Sequence, residues 1–261
     1  MTKYNSANFG FLTIGGYDLT PITTKFEDNI SKAAIESTPF GVAYPEYLAG
    51  ILKRYELTGQ DGWYDDATNS VNATMVDLTA GEHVMVLAPY GNAIPVAGVG
   101  NTVIATDGLL KTEYKRSHGV GEYTKASFGV TVSGSVDQTC KLVCPLTARG
   151  VTGTTAADYL NWGADGAAAG RMYLVVTAIT WDTRTALDIV LQDCNTSGGV
   201  YADHTAFTQI TAAGTPTGSR TAAVKTLEHA AINQYMGVTW TWSGGGAAGE
   251  TATFAVAVIF D

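Results

Sequence analysis

The run Arg171-Met-Tyr-Leu-Val-Val-Thr-Ala-Ile-Thr-Trp181 constrains this chain most. Successive side chains of a strand point to opposite faces, and here apolar residues occupy both sets. The run therefore reads as a long strand, apolar on both faces. Its neighbours read as strands with one polar face. Leu187, Ile189 and Leu191 alternate with Asp188, Val190 and Gln192, and Ser197-Gly198-Gly199 turns the chain. Val238, Trp240 and Trp242 alternate with Thr239 and Thr241. Gly244-Gly245-Gly246 then leads to Phe254, Val256, Val258 and Phe260 on one face. Strands punctuated by turns at this spacing predict a β-sandwich.

The first half predicts shorter strands. Phe9–Ile14 ends at Gly15-Gly16, and Thr20-Pro21 opens the next extended piece. Pro39 and Pro45 bracket Phe40-Gly41-Val42-Ala43-Tyr44, which reads as a loop with bulky side chains, since proline excludes a central strand or a helix interior. Residues 47–57 fit a helix or a strand. One helix is expected near 65–78, with Asp65 or Asp66 as cap and Val71, Met75 and Leu78 on one face. Val84–Ala88, Thr102–Ala105 and Phe128–Val136 are strand-length runs. Pro145 and the Gly150-Val-Thr-Gly-Thr-Thr stretch read as a linker, which predicts one domain over 1–140 and a second over 141–261.

Composition enters as an exclusion. With 15 basic against 24 acidic residues, the net charge is −9, and no basic patch of the kind that grips phosphates is visible. The densest basic stretch, Lys111 to Lys125, also carries Glu113 and Glu122. Three cysteines, Cys140, Cys144 and Cys194, give no disulfide framework. The N-terminus lacks the apolar core of a signal peptide and no run reaches membrane-spanning length, so synthesis in a cytoplasm is expected.

Chemistry-bearing motifs are few. The chain holds no Gly-x-Ser-x-Gly elbow, Walker loop, His-Glu-x-x-His or Cys-x-x-Cys pair. Asp203 and His204 are adjacent, so on a strand they point apart. Cys140 and Cys144 lie in a strand-like segment and read as buried thiols. Asp61-Gly-Trp-Tyr-Asp65-Asp66 lacks the spaced ligands of a calcium loop and reads as a turn into a capped helix. No catalytic residue, cofactor or metal site is expected, and the chain is not expected to be an enzyme. Trp240 and Trp242 share one strand face, as a sugar-stacking platform requires, although Trp on such a face is more often core. What is left is a weakly charged, strand-rich chain with bulky residues in loops. Exposed patches and strand edges of that kind mark protein contacts, and self-assembly accounts for them together.

Three segments bear a family resemblance: Phe11-Leu-Thr-Ile-Gly-Gly-Tyr-Asp-Leu19, Ile35-Glu-Ser-Thr-Pro-Phe-Gly41 and Tyr55-Glu-Leu-Thr-Gly-Gln-Asp-Gly-Trp-Tyr-Asp-Asp66. In this order they resemble the tail tube proteins of long, non-contractile-tailed bacteriophages. The resemblance covers roughly residues 8–135. From Leu146 on, Leu187–Asp193, Phe207–Ile210 and Val238–Trp242 look like a β-sandwich appended to virion proteins.

The resemblance implies a mainly β fold: a tail-tube-like β-sandwich with one flanking helix, followed by a C-terminal, outward-facing β-sandwich. It implies a subunit that polymerises into stacked homo-hexameric rings in the virion tail. The expected partners are further copies, other tail proteins and glycans of the host, with assembly in the host cytoplasm. A loop over Glu36–Ala49 would reach the neighbouring ring, with Phe40, Tyr44 and Tyr47 as contact residues. Phage DNA would pass through the lumen without specific binding, past acids drawn from Glu27, Asp28, Glu36 and Glu56. The rival reading is a capsid decoration or other virion surface protein whose β-sandwich binds glycans.

Overall fold

Alternating β-branched, aromatic and threonine residues fold into strands along nearly the whole chain. The computed structural model describes residues 9–22, 25–36, 47–63, 75, 78, 81–94, 102–120, 124–133, 135–155, 160–162, 166–196, 199–246 and 249–260. The protein is almost entirely β, as the sequence predicts. Two compact units divide the chain. One comprises Met1–Thr20, His83–Asp107 and Asp137–Asp261; the other comprises Pro21–Glu82 and Gly108–Val136. Position 140/141, where the sequence suggests a boundary, falls inside the strand Asp137–Arg149 of the first unit.

The first unit has two sheets. Its larger sheet uses β1 (Phe11–Ile14), β2 (Tyr17–Asp18), β5 (His83–Ala88), the start of β6 (Thr102–Ser117), β8 (Asp137–Arg149), β11 (Gly166–Thr180), β15 (Thr221–Ile232) and β17 (Thr251–Phe260). The strand order is β15-β11-β17-β8-β6-β5-β1-β2. The smaller sheet runs β10 (Leu160–Asn161), β16 (Tyr235–Gly244), β12 (Arg184–Cys194), β13 (Ala202–Ala206). β9 (Gly153–Thr154) pairs with β16, and β14 (Ile210–Thr211) with β12.

β11 shows why its sequence is apolar on both faces. Met172, Leu174 and Val176 enter a core built against the smaller sheet, with Leu187, Ile189, Val238, Trp240 and Trp242. Tyr173 and Val175 enter a second core with Phe11, Val86, Val103 and Leu142. β17 divides likewise, Phe254, Val256 and Val258 to the first core and Ala255, Ala257 and Ile259 to the second. Each such buried Val, Leu, Ile or Phe contributes about 1.5–3 kcal/mol relative to exposure.

The second unit is a four-stranded antiparallel sheet in the order β3 (Lys25–Glu36), β4 (Tyr47–Trp63), β7 (Lys125–Val132) and the distal part of β6. Leu57, Leu109, Ala126, Phe128 and Val130 are buried in it. The ambiguous stretch 47–57 is strand: Leu57 pairs with Val130, and Ile35 with Leu48. The loop expected over Glu36–Ala49 is correspondingly shorter, because Glu36 closes β3 and Tyr47–Ala49 belong to β4. Phe40 and Tyr44 lie outside the described residues. The expected helix near 65–78 also lies outside them, apart from Met75 and Leu78, which are both buried.

Candidate functional site

The second unit's sheet carries one polar face. In a paired sheet, residues opposite each other share a face. The registers Glu27↔Thr58, Asn29↔Glu56, Glu56↔Thr131 and Thr58↔Gly129 carry that face from β3 across β4 to β7. Glu113↔Gly129, Lys115↔Ser127 and Ser117↔Lys125 extend it to β6. Both signs of charge recur across it: Lys25 and Glu27 on β3, Glu56 on β4, Lys125 on β7, and Glu113 and Lys115 on β6. Two of the four lumen candidates, Glu27 and Glu56, lie on it. Glu27 is exposed and pairs with Lys25 Nζ at 2.5 Å; Glu56 is half-buried. The side chains of Asp28, Glu36 and Tyr47 lie outside the described ones.

The chain segments differ in charge. Residues 21–82 carry four basic and ten acidic residues, whereas residues 108–136 carry four basic and two acidic. The basic stretch is the β6–β7 hairpin, where Lys111, Lys115, Arg116 and Lys125 are all exposed. Beside it, a groove of about 370 Å³ is lined by Thr58, Glu113, Lys115, Ser117, Lys125 and Ser127. At Gly129, on the same sheet, a Cβ would sit 3.2 Å from Thr112 Oγ1. Among the described residues, β3 pairs only with β4, and β6 beyond Gly108 pairs only with β7.

The tryptophan pair lies in the core, the more frequent place for Trp on such a face, and does not form a stacking platform. Trp240 and Trp242 are 9% and 8% exposed and belong to the first unit's core. Trp240 donates through Nε1 to the Val151 carbonyl at 2.6 Å, and the Arg149 guanidinium lies 4.9 Å from its ring centroid. Trp242 meets Trp181 edge to face at 5.4 Å, with Arg184 at 4.7 Å. A sugar needs an open ring face, and these rings are packed against protein.

Other chemistry-bearing residues serve the fold. Cys140 and Cys144 are buried; burial pushes the Cys144 thiol up to about 12 and raises Cys140 further, helped by the nearby Asp137 charge. Among the described residues, no three His, Cys, Asp or Glu side chains are grouped to hold a metal ion. His204 turns from its sequence neighbour Asp203 toward Asp193, with Nδ1 3.7 Å from Oδ2. A bulge in β13 opposite Leu191/Gln192 accommodates it, and Asp203 instead accepts from Gln192 Nε2 at 2.7 Å.

Two buried carboxylates have no local sequence signal. Asp137 accepts from Tyr173 Oη at 2.6 Å and pairs with Arg171 Nη2 at 2.5 Å. Burial, followed by the hydrogen bond to Asp137, raises the Tyr173 phenol above its ordinary range. Glu250 Oε1 accepts from the backbone N–H groups of Asp182, Thr183 and Arg184 at 3.0, 2.5 and 2.8 Å. Partners at 34 to 68 positions' remove are invisible to motif reading.

No family model and no curated protein matches the chain. Among solved structures, it is similar to a chain from the virion of a native gene transfer agent particle, at 10% identity and TM-score 0.40. That match covers 52% of this chain and 99% of the other. A chain from the tail of an empty gene transfer agent particle, refined with C6 symmetry, gives the same values. The Dit protein of SPP1, described as a hub of the adsorption apparatus of phages infecting Gram-positive hosts, is similar at 10% identity and TM-score 0.31. Here the match covers 96% of this chain and 98% of the other. At such scores, these likenesses decide nothing about this chain's function.

Proposed function

We propose that this protein is a virion structural protein, the tail tube subunit of a long non-contractile-tailed phage. It acts by polymerising, without enzymatic turnover. The observation that carries this reading is the order of the segments Phe11–Leu19, Ile35–Gly41 and Tyr55–Asp66, which resembles that of tail tube proteins. Copies that meet head to tail close into rings when the rotation permits. The almost entirely β, antiparallel fold suits the same assignment.

In this reading the rings are hexameric, stack along the tail and bind other tail proteins at its ends. DNA passes through the lumen without being held. A chain of net charge −9 suits that task, since phosphates are gripped by Lys and Arg through counterion release, and carboxylates repel them. Negative-stain electron microscopy of the purified protein across a concentration series tests the proposal. Hollow tubes or six-fold rings are expected; dispersed monomers at every concentration would overturn it.

A further inference from the structure

We draw no further inference here: the strongest candidate, the half-buried cluster of Lys141, Trp162 and Phe260 at the margin of the first unit's core, sets an ammonium 4.2 Å from an indole ring centroid, and nothing in the structure shows what covers it.

Discussion

Glu250 shows how much one buried side chain can hold. It is fully buried; one carboxylate oxygen caps three backbone N–H groups of the β11–β12 turn, and the other faces Arg184 Nε at 3.2 Å. Removing the carboxylate strands those donors and the guanidinium together. Glu250→Ala should therefore cost about 3–5 kcal/mol, the range for breaking a buried pair, and Glu250→Gln less, because one acceptor oxygen remains. Urea midpoints measure both. The buried thiols make a pH prediction of definite sign. Cys144 is raised from 9.0 to about 12 by burial, so the folded state holds its proton more tightly than the unfolded chain. Cys140 and Tyr173 shift in the same direction. Their contribution is complete below the unfolded value and is lost as pH rises toward the folded one. Tm should fall from about pH 9 upward, and less steeply in Cys144→Ala, which lacks one of the three groups. A Tm that is flat through that window would contradict the assignment.

At the scale of elements, close approach and irregularity matter as much as alternation. β11 and β17 come so near at Gly170 that a Cβ there would sit 2.1 Å from the Ile259 carbonyl oxygen. Gly170→Ala should cost about 1–3 kcal/mol through displaced backbone, read as a lower urea midpoint with an unchanged slope. The strands of the two cores were legible because period-two alternation records burial directly: β12, β16 and β17 appear in sequence nearly as they stand in the fold. β15 was not. Its residues, Thr-Ala-Ala-Val-Lys-Thr-Leu-Glu-His-Ala-Ala-Ile, include many good helix formers. Pairing along β11 overrides that propensity, with a bulge where Ala168/Gly170 face Ala230 and Leu227. The bulge and the exposed Lys225 also protect this edge from further pairing. The polar face of the second unit was half legible. Its charges can be counted in the sequence, but which of them share a face depends on the order β3-β4-β7-β6, which places segments far apart in sequence side by side. Alternation puts Trp240 and Trp242 on one face, and only tertiary packing tells whether that face is covered.

At the scale of the molecule, β8, β11 and β17 form a wall shared by two cores, and this decides what a truncated chain does. The core against the smaller sheet draws its buried residues from Val143 to Val258, all within 141–261. The second core needs Phe11, Val86, Ala88, Val103 and Ala105 as well. A fragment over 141–261 therefore keeps every buried residue of one core and loses half of the other. Cutting at 140/141 also splits β8 and removes Asp137, the acceptor of the buried Tyr173 hydroxyl and the partner of Arg171. The stripped wall would expose Leu142, Tyr173, Val175, Ala255, Ala257 and Ile259, an apolar patch that soluble monomers avoid. The fragment should retain β-type circular dichroism and the edge-to-face signal of Trp181 and Trp242. It should also bind the dye ANS strongly and aggregate at concentrations where the full chain stays dispersed or forms ordered assemblies. Adding charge to the exposed wall, as in Val175→Lys, should restore solubility to the fragment, whereas in the full chain it would bury an unpaired ammonium and unfold the protein. A fragment that melts cooperatively, binds no ANS and stays monomeric would show instead that 141–261 is self-sufficient and that the second core is an addition to it.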